Sequence, residues 1–249
     1  MRFCPPPRRR SRSGGMLFNS FHFLAFFPIV LAAHFALPHR FRWALLLAAS
    51  CYFYAAFIPA YLLILFVLIL IDYVAGIAIS GAEGSRRKAF LVLSLFANCA
   101  MLAFFKYYNF FAVNVTALGH GLGLPLGAAT IAIILPIGLS FHTFQSMSYT
   151  IEVYRGAQKA ERHLGIYALY VLFWPQLVAG PIERPQNLLH QFREPKRFDA
   201  RRAKEGAELM IVGFAKKVLV ADTLAQTVNA VYGSLPSQSG ASLLIAAYF

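Results

Sequence analysis

The chain is poor in charge, and poorest in acids. Only 13% of its 249 residues are Asp, Glu, Lys or Arg, and 10 acids face 23 bases. A soluble domain carries about twice that charged fraction, so a water-facing globule is excluded as the main body. Cysteine is scarce as well. Cys4, Cys51 and Cys99 lie far apart, which gives neither a disulfide framework nor metal spacing. Cys51 and Cys99 sit inside apolar runs and read as small hydrophobes. The phosphate-binding glycine loop, the G-x-S-x-G elbow and H-E-x-x-H are all missing, and with them the common soluble-enzyme signatures. The alternating segments of an outer-membrane barrel are missing too.

What is present is apolar surface. Hydrophobic residues make up 59% of the chain, aromatics 15%, and the mean hydropathy is +0.59. Apolar segments fall at roughly 17–37, 43–58, 60–80, 89–111, 130–153, 164–180, 206–230 and 240–249. Several approach the ~20 residues that span a bilayer. The fold class read from this pattern is all-α, a polytopic transmembrane helical protein. The net charge of +13 would suit nucleic acid. The bases lie instead in short loops between apolar runs, which is the pattern of cytoplasmic loops facing anionic lipid. The partner expected from composition is therefore the lipid bilayer, with no nucleic acid.

Charge asymmetry orders these segments. His39, Arg40 and Arg42 follow the first; Arg86, Arg87 and Lys88 the third; Arg155, Lys159 and Arg162 the fifth. The turns after the second and fourth carry no charge. Strict alternation places every basic loop on the cytoplasmic side and the N-terminus outside. Residues 1–15, MRFCPPPRRRSRSGG, fit that arrangement poorly. They read as a signal-peptide n-region, a basic disordered extension, or untranslated sequence before a true start at Met16; topology favours the last. Residues 16–249 then form one transmembrane domain. Segment 164–180 breaks the alternation, because the basic stretch 183–204 that follows should also be cytoplasmic. Trp174-Pro175 and Gly180-Pro181 supply helix breakers, so 164–180 is either a re-entrant element beside a cavity or an ordinary span with imperfect charge flanks. Residues 183–204 read as a cytoplasmic connector or interfacial helix.

The most informative stretch is PIGLSFHTFQSMSYTIEVYRG at 136–156. His142, Gln145, Tyr149 and Glu152 fall at offsets that share one helix face. Polar groups at membrane depth are kept where they line a cavity or do chemistry. The plainer reading of His142 is a packed histidine bonded to a backbone carbonyl. Ser140 and His142 are too far apart around a helix to pair as nucleophile and base. Asp72 reads either as a solvated helix-end residue or as a structural partner for a base. Lys106, within FFKYYNFF, reads as a snorkelling interfacial lysine.

Several motifs together resemble the membrane-bound O-acyltransferase superfamily. They are MLFNSFHFLAFFPIV from Met16, SCYFYAAF at 50–57, FFKYYNFF at 104–111, LPIGLSFHTFQSMSYTIEVYRG at 135–156, WPQLVAGPIERPQNLLHQF at 174–192 and GFAKKVLVADTLA at 213–225. The resemblance is greatest to the bacterial branch that acetylates alginate and transfers D-alanine to teichoic acid. It implies a multi-pass protein of the bacterial inner membrane. Such a protein takes an acyl group from a cytoplasmic thioester donor, acetyl-CoA or another acyl carrier. It passes the group to an extracytoplasmic partner protein or polysaccharide. No bound cofactor and no metal is implied. Family members are about twice as long, and their catalytic histidine lies in the second half. The resemblance therefore implies an N-terminal half, inactive alone, whose catalytic histidine lies beyond Phe249. The family more often has Tyr or Phe where this chain has His142, which leaves His142 a tunnel-lining role. The tunnel or substrate-binding candidates are His142, Gln145, Tyr149, Glu152, Gln176, Arg184 and Gln191. A transporter with a His142–Glu152 proton relay, or a non-catalytic scaffold, are the competing readings. Against the transporter, the two halves of the chain show no internal repeat.

Overall fold

The computed structural model describes residues 16, 18–57, 59–123, 129–131, 138–177 and 180–249. The expected extension at 1–15 lies outside the described residues. Among those described, every regular element is helical. They fall into two compact units, one ending at Pro195 and one running Lys196–Phe249.

The first unit opens with α1 (Phe21–Ala36), whose first turn is capped by Ser20 accepting from the Phe23 N–H. Then come α2 (His39–Ala55), α3 (Ala60–Gly81), α4 (Gly84–Gly121), α5 (Leu139–Arg155), α6 (Leu164–Leu172) and a single turn, α7 (Pro185–Leu188), continued by a 3₁₀ turn over Leu189–Phe192. Apart from α7, which lies in the basic connector, each of these helices falls where an apolar segment predicts one. Two of them, α3 and α4, are long and apolar enough to cross a membrane. Their outward faces carry exposed Leu63, Val67, Leu70, Val74, Leu93 and Phe96, apolar surface that suits lipid or a protein partner. α6 has nine residues, which at 1.5 Å per residue is too short to cross a hydrocarbon core of about 30 Å.

α5 is the central helix. It packs against α3 and α4, while α6 packs between α2 and α3. Left-handed glycines bound it at both ends, Gly138 and Gly156, each with φ near 77°. After Gly156 the Ala157 N–H returns to the Glu152 carbonyl, a helix stop that only glycine reaches without strain. Arg87 of α4 donates to the Val153 and Tyr154 carbonyls at 3.1 and 2.6 Å and satisfies the last turn of α5. Gly76 of α3 meets the Tyr149 ring so closely that a Cβ there would lie 2.7 Å from it. Small residues at such crossings let helices approach without a hydrophobic driving force.

Asp72 takes the structural of its two expected roles, with neutral partners in place of a base. It is fully buried rather than solvated. Ser94 donates to its Oδ1 at 2.6 Å, and the Asn98 amide reaches both carboxyl oxygens at 2.8 and 3.0 Å. Ser94 and Asn98 are one turn apart on α4, so this clasp ties α3 to α4.

The second unit is a helix over 200–233 followed by α10 (Gly240–Tyr248). The long helix consists of α8 (Ala200–Ala215), a π-helical stretch (Lys216–Ala221) and α9 (Asp222–Gly233). Asp199 caps it, accepting from the Arg201 and Arg202 N–H groups. Lys217, one of the pair that interrupts the apolar pattern, is bonded to Asp222 across the π stretch.

Candidate functional site

The site is built on a helix end. In an unbroken helix the Tyr170 carbonyl would accept from the N–H of residue 174, and the Val171 carbonyl from that of residue 175. Residue 175 is proline and has no N–H. The Trp174 N–H is turned away and donates to the Ser50 hydroxyl of α2 at 3.1 Å. Two carbonyls at the end of α6 are thereby left without helical partners. At membrane depth each would be expensive.

α5 supplies both missing donors. Gln145 Nε2 donates to the Tyr170 carbonyl at 2.7 Å. His142 Nδ1 lies 2.9 Å from the Val171 carbonyl. Since a carbonyl only accepts, Nδ1 carries the hydrogen, and in the neutral ring Nε2 presents a lone pair. The two residues are three apart on one helix face, so one rigid surface caps two successive carbonyls.

The free ends of these side chains point into buried space. His142 Nε2, Gln145 Oε1, Thr143 Oγ1 and Gln176 Oε1 are all buried without a hydrogen-bond partner. Gly138 explains why Nε2 stays clear. A Cβ there would sit 3.3 Å from Nε2 and 2.6 Å from the Leu177 carbonyl oxygen. Unpaired buried polar atoms of this number are what a hydrated or ligand-lined cavity would satisfy.

Tyr149 is fully buried on the same face, two turns from His142, and serves a different purpose. Its hydroxyl accepts the Glu161 N–H at 2.8 Å, and its ring lies tilted against Tyr167 with centroids 4.5 Å apart. Glu152, another turn along, is half-buried and accepts from Gln186 Nε2 at 2.7 Å. These contacts fix the loop between α5 and α6. Glu161, buried in that loop, is ion-paired with Arg193 and accepts the His163 N–H at 2.8 Å. His163 in turn caps α6 by accepting the Ile166 N–H.

Between this loop and α7 lies a polar cavity of about 360 Å³. Its wall includes Lys159, Glu161, Arg162, Gln186, His190 and Arg193. Of the predicted residues, His142 and Gln145 meet at the break in α6, and Gln176 sits buried in the turn just after it. Arg184 and Gln191 do not join them. Arg184 is an exposed residue at the start of α7, and Gln191 is exposed and bonded to the Asn187 carbonyl of its own turn. Sequence reasoning missed Ser50, Glu161 and Arg193. Their partners are backbone groups or lie more than thirty residues away, and the visible signal was limited to polarity beside an apolar run. Among the described residues no group of three His, Cys, Asp or Glu side chains could hold a metal ion.

Comparison with known proteins agrees with the motifs. The chain is 37% identical over 214 residues to the probable alginate O-acetylase of Pseudomonas aeruginosa, covering 84% of this chain and 41% of the relative. The corresponding protein of Azotobacter vinelandii is 37% identical over the same share of this chain and 42% of its own length. A peptidoglycan O-acetyltransferase of Helicobacter pylori is 30% identical over 243 residues, with 84% and 45% covered. No family model and no solved structure matches. The chain thus spans less than half the length of these curated relatives. Over that partial span it is a relative of the alginate O-acetylases, in keeping with its motifs' resemblance to the membrane-bound O-acyltransferases.

Proposed function

We propose that the chain is part of a multi-pass O-acetyltransferase of the bacterial inner membrane, which moves an acetyl group from a cytoplasmic thioester to an exported polysaccharide. The observation that carries this reading is the similarity to alginate and peptidoglycan O-acetyltransferases over 84% of the chain. The structure adds support in two places. α6 is too short to span and ends at a capped break, as a re-entrant element beside a cavity would. The polar cavity by the α5–α6 loop carries Lys159, Arg162 and His190, which suit an anionic donor such as a phosphate-bearing acyl thioester.

Within this reading no catalytic base is assigned to residues 1–249. Acetyl transfer to a hydroxyl needs a base and donors for the oxyanion. The residues at the break shape the path that the acetyl group follows, and the loop cavity binds the donor. Alginate and peptidoglycan are the two acceptor classes that the relatives' names suggest, and the acceptor is a glycan hydroxyl in either case. The test is deletion of the gene in its native host, with acetyl esters on exported polysaccharide and peptidoglycan measured by proton NMR. Loss from one glycan, restored by the complete gene, supports the proposal. Unchanged acetylation of both overturns it.

A further inference from the structure

An apolar groove of about 520 Å³ runs between α2, α3 and the first half of α6. Its wall includes Trp43 and Leu47 from α2, Phe66 and Leu70 from α3, and Leu164 and Ala168 from α6. Its size is that of a ligand cleft, and its lining is almost wholly carbon. One end is built with care. The Trp43 ring lies so close to α6 that a Cβ on Gly165 would come within 2.2 Å of it, and the same ring meets His163 edge-on at 4.6 Å.

Arg40 stands beyond that end. It lies three residues before Trp43, and Leu47 lies four after, so the three share one face of α2. Arg40 is exposed, and its guanidinium rests 4.7 Å over the Phe41 ring. Among the described residues Arg40 forms no ion pair. An apolar trough that ends at an unpaired cation and an indole matches an amphiphile with a long apolar tail and an anionic head. A lipid without net negative charge would answer the cation less well, and a free phosphate would leave the groove empty.

We propose that this groove holds an acyl chain of an anionic phospholipid whose phosphate is bound by Arg40. The proposal rests on the reading that α2 and α3 lie in a bilayer, with Arg40 at its cytoplasmic face. There anionic lipid is concentrated, and each cation near the surface strengthens binding about fivefold.

The test is native mass spectrometry of the protein extracted in detergent, titrated with dioleoyl phosphatidylglycerol or dioleoyl phosphatidylcholine. The wild type is expected to retain one phosphatidylglycerol in preference to phosphatidylcholine. Arg40→Gln should weaken phosphatidylglycerol about fivefold and phosphatidylcholine, whose choline offsets its phosphate, by less. Leu63→Trp, at an exposed position on the groove wall, should weaken both by filling the trough. Equal retention of the two lipids by the wild type, an Arg40→Gln profile identical to wild type, or a protein dimer in place of the lipid adduct would each overturn the proposal. An alkaline carbonate wash of the membranes separates the two levels. Release of the chain refutes the bilayer reading itself, whereas retention without lipid preference refutes the groove proposal alone.

Discussion

Replacing Gln145 with leucine isolates the claim that α5 caps a broken helix. Leucine keeps most of the volume and removes the donor, so the Tyr170 carbonyl loses its 2.7 Å bond and stays buried. An orphaned buried acceptor costs about 1–3 kcal/mol. For a chain of this size that corresponds to a melting temperature lower by about 2–12 °C. His142→Phe should behave alike through the Val171 carbonyl. Because the two carbonyls belong to one helix end, the double variant should cost less than the sum of the singles. The assay is thermal denaturation of the detergent-solubilised protein, followed by the loss of its monodisperse peak. Gln191→Leu is the control; its side chain is exposed and bonded within its own turn, so it should stay within about 0.5 kcal/mol of wild type. A Gln145→Leu protein that melts with wild type would show that the α6 end is satisfied some other way, and the cap argument would fall.

Three further outcomes follow from the same packing. Asn98→Leu strips the amide from buried Asp72 and should lower stability by about 1–3 kcal/mol; Asp72→Asn, which keeps an acceptor oxygen for Ser94 and Asn98, should cost less in the same melting assay. Gly165→Ala drives a methyl into Trp43 and should cost about 1–3 kcal/mol, with much of the loss recovered in a Gly165→Ala, Trp43→Leu double variant. Arg193→Met leaves buried Glu161 without its cation; it should destabilise the protein more than Glu161→Gln does, as read by protease resistance of the α5–α6 loop.

Much of the helical framework was legible because lipid-facing helices advertise themselves as apolar runs. The segments at 60–80 and 206–230 coincide with α3 and with the α8–α9 helix to within a few residues, apart from the polar start of α8, which hydropathy does not register. The segment at 164–180 overran, since only nine residues stay helical before Pro175 and the Ser50 bond end the helix. The shared face of His142, Gln145 and Tyr149 followed from helical periodicity alone. What those residues touch was legible only for His142, whose plainer reading as a histidine bonded to a backbone carbonyl holds at Val171; which backbone groups are touched was not. Their partners are backbone groups of Tyr170, Val171 and Glu161, and a carbonyl or N–H leaves no side-chain signature to read. Arg184 and Gln191 stand apart from the break for a related reason: nearness in sequence to a basic run says nothing about which way a short turn points. The Asp72 clasp was half legible. Ser94 and Asn98 stand one turn apart in an apolar helix, but pairing them with Asp72 requires knowing that α3 and α4 are neighbours.

The measurement that bears most directly on the account is acetyl-ester content of the exported glycan in cells carrying the complete gene with Gln145→Leu, normalised to the amount of protein in the membrane. The account predicts that acetylation per molecule falls well below wild type while Gln191→Leu retains it. Full acetylation per molecule in Gln145→Leu, at equal abundance, would contradict the claim that the capped break belongs to the acetyl-transfer machinery.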